Sequence, residues 1–359
     1  MKRIICILCL FGLLLPKSHG ISAESYVFYD CFSGEILSER NSESSMLIAS
    51  TTKIMTALVA LELYDLDSEV TIKREWTGIE GSSMYLKPNE KLTVRELLYG
   101  LLLSSGNDAA VALACLYTGN QQDFVTLMNA KAMEIGANNT FFENPNGLDG
   151  ENHKSTAKDM ALIAAKALEN EDFRQIVSTK SIKIGERYFT NHNRLLSMRD
   201  DIIGVKTGYT MAAGRCLVSA ADMGGRIYVA VTLSAPDDWD DHLSLYEQYG
   251  KEAQSVTVLP SDFTLSVPVA GGQKQSVTVR AESEVILPLL EGETAEITVE
   301  GPRFVYGGAQ QGERYGSVKI YVGGKEKAEA ELSFAETVEK AEKRSFWDKV
   351  WDSLKSFKK

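Results

Sequence analysis

The spacing of apolar residues changes along this chain, and the change limits the folds that it can adopt. The stretch "YVFYDCFSGEILSE" predicts two short strands around a turn at Ser33-Gly34. Residues 50–168 then carry segments with helical spacing, such as "LTVRELLYGLLLSS". From Lys180 onward, "IIGVKTG", "GRCLVSAADM" and "GRIYVAVTLSAP" predict consecutive antiparallel strands. Helices inserted between the strands of one sheet indicate a mixed α/β fold.

A second change occurs near Ser255. Short β runs such as "FTLSVPV", "QSVTVRA" and "SVKIYVGG" follow at intervals typical of a small sandwich or barrel. We therefore predict an α/β domain over residues 24–254 and a small all-β domain over residues 255–335.

The N-terminus has the pattern of a secretory signal peptide, predicted over residues 1–23. Two basic residues precede an apolar core of about 12 residues, Ile4–Leu15, and small residues end the segment at Ala23. A core this short favours cleavage and export over a retained membrane helix, which needs roughly 20 apolar residues. Cleavage would remove three basic residues and change the formal net charge from −11 to −14. Such a chain is not expected to bind nucleic acid by charge.

The C-terminal residues 336–359 predict an amphipathic helix. Phe346, Trp347, Trp351 and Phe357 recur at helical spacing, and lysines border this apolar face. The segment holds seven Lys or Arg and five Asp or Glu, a net +2 on an otherwise acidic chain. We expect it to lie on a membrane surface. The alternative is a terminal helix packed on its own protein.

The cysteines and histidines do not suggest a metal centre. Three cysteines follow the signal, Cys31, Cys115 and Cys216, and they are too far apart for a zinc knuckle. We expect them to be buried structural residues. His153 and His242 also lack metal-ligand spacing, so neither a metal nor another cofactor is predicted.

The segment "IASTTKIMTAL" places Ser50 and Lys53 at the head of an apolar run. Burying an ionised lysine without a partner is costly, so its amine must be paired or neutral. A lysine whose pKa is lowered by burial or by a second cation can take the proton of a serine one helical turn away. Lys53 is therefore a candidate general base for Ser50.

The same Ser-x-x-Lys spacing occurs twice more. Ser155 and Lys158 lie beside a predicted capping box of Thr156 and Asp159, and the pair at 356 and 359 lies on the polar side of the tail. We expect neither of these two pairs to be buried.

Two further motifs distinguish Ser50 from the other serines. Ser105-Gly106-Asn107 is the only Ser-x-Asn in the chain, and Lys206-Thr207-Gly208 is the only Lys-Thr-Gly. Only Ser50 precedes both motifs. This order is the signature of penicillin-binding proteins and class A β-lactamases.

The chain resembles the low-molecular-weight penicillin-binding proteins, which are serine-type D-alanyl-D-alanine carboxypeptidases of peptidase family S11. "FFENPNGLDGENHKSTAKDMA" is similar to a further stretch of that family. The trailing β domain and the amphipathic tail match the family layout. The resemblance implies a penicillin-binding-protein-like fold for the α/β domain, peptidoglycan stem peptides as substrates and β-lactam antibiotics as inhibitors.

The resemblance also implies roles in a serine acyl-transfer mechanism. Ser50 would attack the carbonyl between two terminal D-alanines, with Lys53 as general base. Ser105 would relay a proton to the leaving amine. Asn107 would hold the substrate amide or Lys53.

The Lys-Thr-Gly segment would bind the substrate. Lys206 would keep Lys53 neutral and attract the substrate carboxylate, to which Thr207 would donate a hydrogen bond. Gly208 would let the strand approach the ligand closely. The backbone amides of Ser50 and Tyr209 would hold the oxyanion.

One departure and three alternatives remain open. The family often has Asn-x-Asn before Lys-Thr-Gly; the segment here is "NHNRLL", with His192 where some members carry arginine. A class A β-lactamase would need a glutamate for deacylation, and Glu143 lacks the expected neighbours. A noncatalytic scaffold would have lost a motif residue, and none is lost. An endopeptidase that cuts cross-links would use the same chemistry and differ only in its groove.

Overall fold

The computed structural model of the protein describes residues 20–341. Most of the predicted signal peptide (1–19) and most of the predicted terminal helix (342–359) lie outside the described residues. Within residues 20–341, no helix is both long enough and apolar enough to cross a membrane.

The end of the predicted signal peptide packs on the folded chain. The Asp241 carboxylate accepts hydrogen bonds from the backbone amides of Ser22, at 2.6 Å, and Ala23, at 3.0 Å. Ala23 is fully buried. The Ser22 hydroxyl donates to the Asp241 carboxylate as well, at 2.8 Å, so cleavage after Ala23 would remove three donors to Asp241.

Among residues 20–341, a five-stranded antiparallel sheet, seven α-helices and two short two-stranded sheets form the first unit of the fold. The elements in chain order are β1 (Ser25–Asp30), β2 (Glu35–Arg40), α1 (Lys53–Leu63), β3 (Glu69–Thr71), β4 (Lys91–Thr93), α2 (Val94–Leu103), α3 (Asn107–Thr118), α4 (Gln121–Ile135), α5 (Ala157–Leu168), α6 (Glu171–Ser178), β5 (Ser181–Ile184), β6 (Arg187–Thr190), β7 (Ile202–Thr210), β8 (Gly214–Met223), β9 (Arg226–Leu233) and α7 (Asp238–Tyr249).

The sheet order is β2-β1-β9-β8-β7, so the sequence prediction of helices inserted into an antiparallel sheet is confirmed. Both faces of the sheet are covered by helices. Neighbouring side chains of a strand point to opposite faces, so each strand contributes to two cores. Val27 of β1 packs in the core that includes helices α1–α6, and Phe28 packs with Leu245 and Tyr246 of α7. β7 is an edge strand, which leaves one side of its backbone unpaired within this sheet.

Local signals set several helix ends. Thr93 and Glu96 form a reciprocal capping box at the start of α2. Gly136 ends α4 in a left-handed conformation at φ 87°, as its position in the sequence predicts. Thr156 caps α5 by accepting from the Asp159 amide at 3.0 Å. The Asp159 carboxylate instead accepts from Thr140, so the predicted box is only half formed.

The second unit is all β. A two-stranded sheet pairs β10 with β13, and a six-stranded sheet has the order β14-β16-β17-β12-β11-β15. Its strands are β10 (Gln254–Leu259), β11 (Thr264–Ala270), β12 (Ser276–Ala281), β13 (Val285–Leu289), β14 (Ala295–Glu300), β15 (Val305–Tyr306), β16 (Arg314–Val322) and β17 (Lys325–Phe334).

The described start of the predicted terminal helix is not helical. Val338 forms a β-bridge with Ala309, and Lys340 forms one with Gly272. Residues 336–341 therefore extend along the β unit, because their backbone groups find partners there. The rest of the predicted helix lies outside the described residues.

A buried ion pair joins the two units. Arg226 of β9 is 2% exposed and donates through Nε to Asp30 of β1 at 3.0 Å. Its Nη1 donates to Glu293, in the turn before β14, at 2.6 Å. The guanidinium also lies over the Phe32 ring, 4.9 Å from the centroid. Two carboxylates and an aromatic face thus compensate the buried cation.

Candidate active site

Ser50 lies on a short 3-10 turn, Ala49–Thr52, that leads directly into α1. Ala49 has φ 45°, in the left-handed region that non-glycine residues seldom adopt. Ala49 and Thr52 are buried, whereas Ser50 is only half-buried. The turn therefore presents the Ser50 hydroxyl at a surface while its neighbours stay in the core.

Lys53 is completely buried beside Ser50. Its Nζ lies 3.0 Å from Ser50 Oγ and donates to Asn107 Oδ1 at 2.7 Å and to the backbone carbonyl of Asn146. Burial lowers the pKa of Lys53 well below its usual value, and the charge of Lys206 lowers it further, while Asp108 acts in the opposite direction. Burial and Lys206 therefore both favour the neutral amine, which is the form that can accept a proton.

The hydrogen bonds of Lys53 define where its lone pair points. A neutral amine has two N–H donors and one lone pair. Asn107 Oδ1 and the Asn146 carbonyl can only accept, so they take the two N–H groups. The Asn107 side-chain nitrogen donates to the Glu80 carbonyl at 2.6 Å, which fixes the orientation of this amide. The remaining lone pair of Lys53 faces Ser50 Oγ and can accept its proton.

Ser105 and Asn107 reach this centre from the turn between α2 and α3. Asn107 is the first residue of α3 and, of the two alternatives, holds Lys53. Ser105 has φ 58° and is 4% exposed. Its Oγ has no hydrogen-bond partner among the described residues. A buried hydroxyl without a partner is unusual and is free to bond a ligand.

The Lys-Thr-Gly segment lies on the edge strand β7. Lys206 is 1% exposed, and burial lowers its pKa to about 7. Thr207 is half-buried and Tyr209 is 65% exposed. A Cβ on Gly208 would lie 3.0 Å from the Ser50 amide nitrogen and 3.1 Å from the Ile48 carbonyl oxygen. Gly208 therefore packs closely against the serine turn, and its predicted approach to a ligand stays a prediction.

A cleft of about 440 Å³ contains the exposed parts of these motifs. Five residues at this cleft were not identified from the sequence: Ser82, Arg194, Arg215, Asp238 and Trp239. Arg215 pairs with Asp238 at 2.8 Å and lies over Trp239. No motif in the sequence marks these residues. The complete lining is Ser50, Ser82, Ser105, His192, Arg194, Thr207, Gly208, Tyr209, Arg215, Asp238 and Trp239.

His192 lies at the rim of the cleft and is exposed. Partial burial and the charge of Lys206 lower the pKa of His192. This position therefore carries an imidazole with a lowered pKa, where some family members carry arginine.

The other candidates lie elsewhere. Ser155 is fully buried, contrary to expectation. Its Oγ forms a hydrogen bond with Thr140 Oγ1 at 2.7 Å, which compensates the burial. Lys158 points away and pairs with Glu43 at 2.6 Å. The Glu143 carboxylate accepts from Asn152 at 3.2 Å and does not line the cleft.

The cysteines are partly as predicted. Cys31, Cys115 and Cys216 are unpaired thiols, but only Cys216 is fully buried, and the other two are half-buried. Among the described residues, no group of three His, Cys, Asp or Glu side chains could hold a metal ion.

Comparisons with known proteins agree on one family. The family model described as "Peptidase_S11: D-alanyl-D-alanine carboxypeptidase" matches residues 15–237. The D-alanyl-D-alanine carboxypeptidase DacC of Escherichia coli is 32% identical over 358 residues, which cover 94% of this chain and 88% of the relative. DacF of Bacillus subtilis is 37% identical over 223 residues, 59% of this chain and 57% of DacF.

Solved structures show the same fold. Penicillin-binding protein 5 from Haemophilus influenzae superposes with a TM-score of 0.64 at 29% identity, covering 89% of this chain and 98% of that chain. The Streptomyces K15 DD-transpeptidase gives a TM-score of 0.62 at 33% identity, covering 64% of this chain and 97% of that chain. The predicted penicillin-binding-protein-like fold is thus confirmed. The chain belongs to the D-alanyl-D-alanine carboxypeptidase family, peptidase S11.

Proposed function

We propose that this protein is a serine-type D-Ala-D-Ala carboxypeptidase that removes the terminal D-alanine from peptidoglycan pentapeptide stems. It does so through an acyl-enzyme on Ser50, and penicillins acylate the same serine. The observation that carries the proposal is the buried Lys53 amine, whose Nζ lies 3.0 Å from Ser50 Oγ and whose pKa is lowered by burial and by Lys206.

In the acylation step, Lys53 takes the Ser50 proton as Oγ attacks the carbonyl between the two D-alanines. The developing oxyanion is bound by the backbone amides of Ser50 and Tyr209. A donor of this kind typically contributes about 3 kcal/mol to the transition state. Gly208 packs against the Ser50 turn and holds strand and turn in register for this purpose.

The leaving D-alanine needs a proton and a site for its carboxylate. Ser105 Oγ, which has no partner of its own among residues 20–341, passes the proton from Lys53 to the departing amine. Lys206 and Thr207 attract the free carboxylate. The C–N bond breaks and the ester of Ser50 remains.

Water then attacks this ester and releases a peptide that is shorter by one D-alanine. Asn107 holds Lys53 in place through both steps. Glu143 has no role in this step, because its carboxylate does not reach the cleft. Rapid penicillin turnover of the β-lactamase type is therefore not expected.

The decisive experiment incubates the mature protein with a muramyl pentapeptide and measures the product mass. Loss of one D-alanine supports a carboxypeptidase, whereas cleavage only of cross-linked dimers would indicate an endopeptidase. Ser50→Ala should abolish both D-alanine release and labelling by a fluorescent penicillin. Ser155→Ala is the matched control, since Ser155 has the same spacing to a lysine but lies outside the cleft. Retained labelling of Ser50→Ala would refute the assignment.

We further propose that the protein is exported by its N-terminal signal and held on the outer face of the cytoplasmic membrane by its C-terminal segment. The apolar face with Trp347 and Trp351 supports this placement. Truncation should follow Ala341, because the Ala341 amide donates to Gly271 at 2.9 Å within the β unit. We expect the truncated enzyme to be soluble and active. Persistent membrane binding would show that another segment anchors it.

A further inference from the structure

His153 is a buried polar residue for which the acyl-transfer mechanism gives no role. It is 1% exposed, and its ring lies edge-on to Phe142 at a centroid distance of 5.8 Å. Burial lowers the pKa of His153 to about 4, so the imidazole is neutral at neutral pH. A neutral imidazole has one donor and one acceptor nitrogen, and its surroundings fix which is which.

The hydrogen bonds of His153 run in one direction toward the serine turn. The Glu143 amide donates to Nδ1 at 3.0 Å, so the proton is on Nε2. Nε2 lies 2.8 Å from Thr52 Oγ1 and donates to it. Thr52 Oγ1 in turn donates to the Ala49 carbonyl at 2.8 Å. The chain of donors thus ends on the residue before the nucleophile.

The Ala49 carbonyl is at the strained point of the turn. Ala49 adopts φ 45°, a conformation that persists only where the surroundings enforce it. A Cβ on Gly147 would lie 2.1 Å from this carbonyl oxygen, so the backbone of residue 147 packs directly against it. The carbonyl is therefore enclosed between Gly147 and the Thr52 hydroxyl.

We propose that His153 is a positioning residue for the nucleophile. Acting through Thr52, it keeps the Ala49 carbonyl turned away from the cleft and so fixes the direction of Ser50 Oγ relative to Lys53. This role rests on the proposed acylation of Ser50. It concerns the rate of acylation and not the binding of ligand, because His153 does not line the cleft.

Two substitutions at His153 separate the two ends of the chain of donors. In His153→Gln, the side-chain nitrogen can replace Nε2 and still donate to Thr52. In His153→Asn, the side-chain oxygen can replace Nδ1 and accept from Glu143, but the link to Thr52 is lost. Each variant loses one buried hydrogen bond, so a merely structural role predicts similar losses of melting temperature and of activity for both.

The experiment measures acylation of the full mature chain by a fluorescent penicillin over a range of concentrations. This separates the initial dissociation constant from the first-order acylation constant. We expect His153→Asn to lower the acylation constant by about 10- to 100-fold, the scale of a misplaced reacting group. The dissociation constant should change by less than about twofold, and His153→Gln should stay within about threefold of the wild type.

A second pair of variants, at Thr52, tests the hydrogen bond between His153 and Thr52 independently. It remains informative if His153→Asn does not fold. Thr52→Val removes the hydroxyl and should slow acylation as His153→Asn does, whereas Thr52→Ser keeps it. The double variant of His153→Asn and Thr52→Val should be no slower than Thr52→Val alone. Equal losses for Gln and Asn, or losses that multiply in the double variant, would overturn the inference. Absence of acylation in the wild type would instead refute the proposed function.

Discussion

Acidification should destabilise the catalytic unit through two buried histidines. Burial lowers the pKa of His153 to about 4 and that of His242 to about 3. His242 is fully enclosed, with Nδ1 2.6 Å from Ser219 Oγ and Nε2 3.0 Å from Thr232 Oγ1. Both rings are neutral in the folded protein at pH 5, whereas an unfolded histidine with a pKa of about 6.5 is protonated.

The sign and the size of the effect follow from this difference. Above a pH of about 6.5 neither state binds the extra protons, so the stability is complete. Below it the unfolded state gains protons that the folded state excludes, and stability falls as the pH drops toward the folded pKa values. At pH 5 the pH lies about 1.5 units below the pKa of an unfolded histidine. The free energy of unfolding therefore falls by about 2 kcal/mol for each histidine and by about 4 kcal/mol for both.

The assay is urea unfolding at pH 7.5 and pH 5.0, followed by tryptophan fluorescence. A chain that ends at Ala341 retains only Trp76 and Trp239, both in the catalytic unit, so the signal reports this unit alone. His242→Asn will be less stable at both pH values, but its loss on acidification should be smaller by about 2 kcal/mol. His192→Asn is the comparison, because His192 is exposed and only partly desolvated, so its pH dependence should change less than that of His242→Asn. An unchanged pH dependence in His242→Asn would refute the reasoning.

Three further predictions concern the backbone contact, the lysine pair and the interface between the units. Gly208→Ala should slow penicillin acylation by about 100-fold, because its Cβ would press on backbone atoms of the Ser50 turn at 3.0–3.1 Å; acylation at the wild-type rate would contradict this packing. Lys206→Met removes a charge that lowers the pKa of Lys53, so the acidic limb of the pH profile of acylation should move to higher pH; a limb that does not move would show that burial alone sets this pKa. Arg226→Met should destabilise the protein by about 3–5 kcal/mol in urea unfolding, because it leaves the buried Asp30 carboxylate uncompensated.

The sequence was sufficient for the features that depend on local pattern. Hydrophobic periodicity predicted the strands β7–β9 and the turn at Ser33-Gly34, because alternation and turn residues are read within a few positions. Gly136 ends α4 as predicted, because only the backbone conformation of one residue is involved. The order of three motifs also selected Ser50 among the three Ser-x-x-Lys serines.

The chemistry of the candidate site was decided by segments that are distant in sequence. The pKa of Lys53 is lowered because distant segments bury its amine and because Lys206 approaches from β7, while residues 107 and 146 accept its hydrogen bonds. The absence of a side chain at Gly208 is required by the backbone of the Ser50 turn. None of these contacts has a signature in local spacing.

Burial itself was the least predictable property. Ser155 was expected to be exposed because it stands beside a helix cap, yet Thr140 and the Met46 segment cover it. The apolar neighbours of Ser50 indicated an interior helix, but they could not show that His153, a hundred residues away, fixes the strained Ala49. The sequence predicted which residues react, and the tertiary structure determined their burial and direction, because solvent exclusion and electrostatic fields depend on what distant segments bring together.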